Sequence, residues 1–265
     1  MGLNNDILHL PFVIRGKRMD KYNRVYFHSN ENLKMIFSKF DVYDKKVFSV
    51  LASGDQAFHF LDNGAKKVDV FDKNRLTIYY YYLRRWMIKY FDSFYPNNHF
   101  RIDDVKKIIH CESDLEKDAL KFWDYFYSNY SNEELMKLFY CFSYSSINEI
   151  TNTSKLKKRL DEEFNFYNLD VSHDTKKVQD RYDIIYTSNI SEYITPNIVS
   201  FNLYRDNLDM LLCDGGKIIS TCLCRQKISD IEASVFSEKF YIEEIPSDND
   251  IRNMYPSGYI YTKKR

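Results

Sequence analysis

Glycine and proline are scarce in this chain, at seven and five of 265 residues. There is no low-complexity linker and no internal repeat. No glycine lies in the G-x-G-x-x-G turn that lets a dinucleotide's pyrophosphate approach the backbone, nor in the G-x4-G-K-[ST] loop that cradles phosphates. Cysteine is limited to Cys111, Cys141, Cys213, Cys222 and Cys224. Cys222 and Cys224 form C-x-C in an expected strand, but no second ligand pair stands at C-x-x-C or H-x3-H spacing. Free thiols are therefore expected, and no metal site. Net charge is absent, with 38 basic residues against 38 acidic ones, so nothing overall points to nucleic acid. No apolar run reaches the length of a membrane span, and "MGLNNDILHLPFVIRGKRMD" has neither a signal-peptide core nor a cleavage site. Met1-Gly2 is followed by Asp6 where myristoylation calls for Ser or Thr. A cytoplasmic protein without integral membrane association is expected.

Aromatic residues are abundant, 17% of the chain with 23 Tyr and 20 Phe, so much of the burial must involve large rings. From Lys46 an alternating pattern begins. "KKVFSVLAS" is a nearly continuous apolar run, the mark of a parallel strand covered on both faces. "DQAFHFLDNGA" keeps helical spacing and has Gly64 near its end. "KKVDVFD" reads as a second strand closed by Asp72. The following "KNRLTIYYYYLRRWMIKYF" has strand-like composition, but the polar positions Arg75, Tyr82, Arg85, Lys89 and Asp92 step by helical intervals, which predicts a helix. Its "YYYY" run at 79–82 is expected to serve helix packing.

After residue 163 the alternation returns. "FNFYNLDV" and "YDIIYTS" read as strands and "NIVSFNLYRDNLDMLLCDGG" as a helix ending at Gly215-Gly216. "KIISTCL" is a strand, "SDIEASVFSEKF" a helix capped by Ser229, and "YIEEIP" and "GYIYTKK" two final strands forming an antiparallel edge hairpin. Residues 1–45 are expected to form a cap, with "SNENLKMIFSKF" a helix opened by Ser29 or Asn30. Residues 93–162, charged and aromatic, are expected to form a helical insertion in the α/β domain of residues 46–265.

Chemistry concentrates at the strand ends. A strand, a turn containing Gly54 and a helix N-terminus make a nest of backbone N–H groups. Asp72, eighteen residues on, is placed either to accept both hydroxyls of a ribose at the switch-point crevice or to cap the helix after it. Asp55 follows the glycine where a diphosphate would otherwise sit, and an acid there repels phosphate and suits a cation. A cofactor with a ribose, a positive charge and no phosphate meets these conditions, as S-adenosylmethionine does.

"VFSVLASGDQAFHFLDNGAKKVDVFDKN" resembles the first two motifs of the class I S-adenosylmethionine-dependent methyltransferase superfamily. "YDIIYTSNISEYI" resembles its fourth-strand motif and "LCDGGKIIST" the approach to its fifth strand. The resemblance covers roughly residues 46–92 and 163–265. It implies a Rossmann-like α/β fold, a mostly parallel seven-stranded sheet with helices on both faces. A looser resemblance, through S-G-D-Q, D-x-N and S-N, is to the 3-amino-3-carboxypropyl transferases that build betaine-lipid headgroups.

By this resemblance Ser53, Gly54, Asp55 and Gln56 line the methionine moiety and Asp72 holds the ribose. Asp170 and Val171 meet the adenine (Asp170 is otherwise a solvated loop residue), and Ser188 and Asn189 close the site nearest the acceptor. Glu192 and Tyr193 either reach the substrate or begin the next helix. His28 and His59 are the histidines to weigh as proton acceptors, His28 facing the site and His59 packed in or on its helix. A small-molecule or lipid-headgroup acceptor fits the implied chemistry. Methyl transfer is favoured, with aminocarboxypropyl transfer or a non-catalytic nucleoside-binding role as alternatives.

Overall fold

The computed structural model describes residues 25–91, 119, 121–123, 128–129, 131, 139–140, 150, 152–222, 228–246 and 258–265. Most of the expected insertion, the first half of the expected cap, and Cys111, Cys141 and Cys224 lie outside the described residues. The chain divides into two compact units. One takes in the described residues up to Asn30, Ala52–Asp55 and those between Asn74 and Asp161; the other takes in Glu31–Leu51, Gln56–Lys73 and those from Glu162 onward.

In the first unit, β1 (Val25–Tyr26) pairs in parallel with β4 (Phe139–Tyr140), and the long helix is α3 (Leu76–Phe91). Short helix α4 (Ser154–Lys157) lies near the end of the unit in sequence. Helical period overrides the strand propensity of the tyrosines, as expected. Leu76, Tyr80, Leu83, Arg84 and Ile88 are fully buried on one face, while Arg85 and Lys89 reach Asp161 at 3.0 and 3.2 Å. The tyrosine run packs: Tyr79 stacks on Phe122, and the Tyr80 hydroxyl donates to the Phe27 carbonyl at 2.7 Å.

The second unit is built on a seven-stranded sheet. Its strands are β2 (Lys46–Val50), β3 (Lys67–Phe71), β5 (Phe166–Tyr167), β6 (Tyr182–Ser188), β7 (Leu212–Thr221), β8 (Phe240–Ile245) and β9 (Gly258–Lys263). Their spatial order is β5-β3-β2-β6-β7-β9-β8. The first five are parallel, and β9 runs antiparallel to both β7 and β8. The final hairpin is therefore present, with the last strand inserted between its partner and the parallel body.

Helices cover both faces. Register puts Tyr186, Ile219 and Ile260 on one face and Ile185, Ile218 and Tyr261 on the other. The rings of Phe37 in α1 (Leu33–Phe37) and Phe60 in α2 (Asp55–Asp62) meet Tyr186. Phe236 of α6 (Asp230–Ser237) meets Tyr261 and also Tyr204 of α5 (Ile198–Leu211). The core is aromatic, as composition requires.

Three boundaries differ from the sequence expectation. Helix α1 opens at Asn32, whose side chain accepts from the Met35 N–H, and not at Ser29 or Asn30. Helix α5 ends at Leu211 because Leu212 is already extended and pairs with Tyr182; Gly215-Gly216 lie inside β7 at a register shift. There Gly215 takes a φ of 73°, which a side chain disfavours. Strand β5 shrinks to two residues, since Asn168 turns away to donate to the Asp72 carbonyl. Ser229 caps α6 as expected, accepting from the Glu232 N–H.

Candidate cofactor-binding crevice

The turn after β2 belongs to the first unit and is built on positive φ angles at Ala52 (45°) and Gly54 (89°). Ser53 and Asp55 are fully buried. The Arg84 guanidinium, also without exposed surface, donates through Nη1 to Asp55 Oδ1 at 2.5 Å and to the Ser53 carbonyl at 2.8 Å. The other carboxylate oxygen accepts from Ser53 Oγ at 3.0 Å and from the Ser29 N–H. The acid in the turn is thus engaged inside the protein and its charge is balanced by Arg84. The same unit holds His28, 2% exposed. Burial lowers its pKa below 6.5; Asp55 acts upward and Arg84 downward.

In the second unit, β2 and β6 are neighbours in the sheet, with β3 outside one and β7 outside the other. That is a topological switch point, and the crevice beyond its carboxyl ends is where open α/β sheets take ligands. Asp72 follows β3 directly; its N–H donates to the Tyr167 carbonyl at 3.2 Å. At the start of α3, Asn74 Oδ1 accepts from the Leu76 N–H at 3.1 Å. Asp170 accepts from the Ser172 N–H at 3.1 Å and hydroxyl at 2.6 Å, with Lys73 at 3.6 Å. Burial pushes its pKa up, but the Ser172 bonds, Lys73 and His173 outweigh this and hold it below 3.8. Val171 is buried and its carbonyl accepts from Asn207 at 3.2 Å.

Ser188 ends β6 with a φ of 53°, a left-handed conformation costly for a residue with a Cβ. Its hydroxyl lies 2.7 Å from Glu31 Oε1. Glu31 also accepts from Thr221 Oγ1 at the end of β7 and, through Oε2, from Gln56 Nε2 at 2.8 Å. Asn189 donates to Glu192 at 3.1 Å, and Glu192 and Tyr193 fall within the 3-10 turn Ile190–Tyr193. His59 packs beside the Phe37 ring, 4% exposed.

Of the residues expected at the site, Gln56, Asp72, Asp170, Val171, Ser188 and Asn189 belong to the second unit; His28, Ser53, Gly54 and Asp55 belong to the first. Sequence reasoning passed over two residues. Arg84 carried a signal: it falls on the apolar face of a helix, where a charge demands a buried partner. Glu31 carried none, standing alone in an irregular segment before α1. Among the described residues, no group of three or more His, Cys, Asp or Glu is arranged to hold a metal, and no helix is long and apolar enough to cross a membrane.

Six parallel and antiparallel pairings fix the sheet's order, with the last strand inverted between its neighbours. The architecture is the class I methyltransferase fold. No protein-family model matches the chain, and no curated protein matches it. Solved structures of similar architecture include the N-methyltransferase NodS from Bradyrhizobium japonicum WM9 in complex with S-adenosyl-L-homocysteine. That match has 8% identity, covers 99% of this chain and 100% of that one, and has a TM-score of 0.48. The glycopeptide N-methyltransferase MtfA complexed with S-adenosyl-L-methionine matches at 8% identity over 94% and 100% of the two chains, with a TM-score of 0.47. A TehB-like SAM-dependent methyltransferase from Corynebacterium glutamicum matches at 10% identity over 91% and 90%, with a TM-score of 0.46.

Proposed function

We propose that the protein is an S-adenosylmethionine-dependent transferase, with methyl transfer to a small-molecule or lipid-headgroup acceptor as its reaction. The observation that carries this reading is the position of Asp72. A carboxylate directly beyond β3, beside the switch point, suits the two hydroxyls of a ribose. The absence of a glycine-rich phosphate loop favours a phosphate-free nucleoside over a dinucleotide. Asp170 would face the adenine amino group, and Ser188 and Asn189 would border the acceptor.

When bound, S-adenosylmethionine supplies a carbon already activated by the sulfonium. What the chain must add is position and exclusion of water. The Asp55–Arg84 pair leaves the turn after β2 electrically balanced.

Calorimetry with S-adenosylmethionine and, separately, NAD tests the cofactor. Binding of the first alone is expected, and Asp72→Ala should weaken it by about tenfold or more, the worth of hydrogen bonds to a charged group. Mass spectrometry after incubation with cell extract reads the reaction: S-adenosylhomocysteine marks methyl transfer, methylthioadenosine marks aminocarboxypropyl transfer. Tight NAD binding, or no heat with S-adenosylmethionine, sinks the cofactor reading.

A further inference from the structure

Glu31 comes from outside the stretches that resemble the methyltransferase motifs, yet its carboxylate spans the switch point. It is 3% exposed. One oxygen receives the hydroxyls of Ser188 and Thr221, which end β6 and β7; the other receives the Gln56 side chain at the start of α2, the helix that follows β2. Three separate stretches of chain thus converge on one side chain. Two of them border the crevice from opposite sides, Gln56 after β2 and Ser188 after β6.

The Ser188 backbone gives the contact further meaning. A φ of 53° is unfavourable for serine and persists only where its surroundings hold it. The hydroxyl bond to Glu31 is such a hold, and hydrogen bonds to a charged acceptor are the strong ones. Tyr186, two residues earlier in β6, feels the same charge: burial and then Glu31 keep its hydroxyl protonated.

We propose that Glu31 is a positioning residue that clamps Ser188 and Gln56 across the switch point and so sets the shape of the cofactor crevice. This inference rests on the proposed use of S-adenosylmethionine. Glu31 acts through its partners and need not touch the cofactor. An amide in its place keeps the volume but removes the charge, so the three bonds lose their charge assistance and the donors and acceptors around it must rearrange.

The test is a double-mutant cycle on S-adenosylmethionine affinity, measured by calorimetry well below each variant's melting temperature. Glu31→Gln and Ser188→Ala should each weaken binding by about tenfold. Because both act on the same contact, the double variant should lose little more than the worse single one, rather than the product of the two. Glu31→Asp, which keeps the charge, should recover part of the loss. A residue that merely stabilises the fold would lower the melting temperature and leave the affinity of the folded protein unchanged. Unchanged affinity in Glu31→Gln, or losses that multiply, overturns the clamp while leaving the cofactor reading intact. If Glu31→Gln does not fold, Ser188→Ala alone decides: undiminished binding overturns the clamp. A wild-type protein that does not bind S-adenosylmethionine overturns the cofactor reading itself, and the clamp with it.

Discussion

Asp55 and Arg84 meet with no exposed side-chain surface on either partner. Such a pair gains little over a well-packed apolar one, yet breaking it is costly because the remaining charge stays buried. Arg84→Met leaves the Asp55 carboxylate with the Ser53 hydroxyl and Ser29 N–H but without its cation. We predict a loss of about 3–5 kcal/mol in urea unfolding followed by tryptophan fluorescence, and a smaller loss when Asp55→Leu is added. A small effect in the single variant would show that the pair is not the turn's main support. Sequence alone made Asp55 legible as the acid after a turn glycine, but its partner lies 29 residues away and only the folded helix brings it there. That is why the Asp55 carboxylate looked free to face a cation, whereas Arg84 engages it.

At the scale of elements, period was the reliable guide. Buried positions in α3 recur at helical spacing, and β2 and β6 read as near-continuous apolar runs. What failed was punctuation. Gly215-Gly216 resembled a helix stop, but pairing with β6 extends β7 back through both residues, so a tertiary partner decided the boundary. The strand-end positions were legible because each follows an apolar run; Glu31 follows none. Glycine has a second use at Gly258, where close approach matters: a Cβ there would lie 2.2 Å from the Ser220 carbonyl oxygen and 2.9 Å from the Thr221 Cα. Both neighbours are backbone, so neither moves cheaply. Gly258→Ala should cost about 3 kcal/mol or more and speed amide exchange at Ser220 and Tyr259, which are register partners. At Gly215, where a Cβ meets nothing within 4 Å, alanine should cost only the backbone strain of positive φ, about 1–2 kcal/mol.

Across the whole molecule, acid should act in two stages, and the tryptophans allow the first to be isolated. The chain has two, Trp86 and Trp123, both buried and both in the unit that contains His28. The folded pKa of His28 lies below its ordinary 6.5, so as pH falls through 6.5 the unfolded chain takes up a proton that the folded one resists. Stability therefore declines with falling pH from there until the folded pKa is reached. Asp170 and Asp209 act in the same direction, but only at lower pH. Their folded pKa values lie below 3.8, so the stability they add is present above 3.8 and is lost as pH falls through the lowered values. The urea midpoint read by tryptophan fluorescence should fall between about pH 7 and about pH 5.5, and His28→Gln should flatten that part of the profile while leaving the steeper loss below 3.8 in circular dichroism. The chain has five other histidines, so the difference between wild type and variant carries the information. An identical slope in both would mean that His28 takes up its proton as easily folded as unfolded, against the cost its burial imposes.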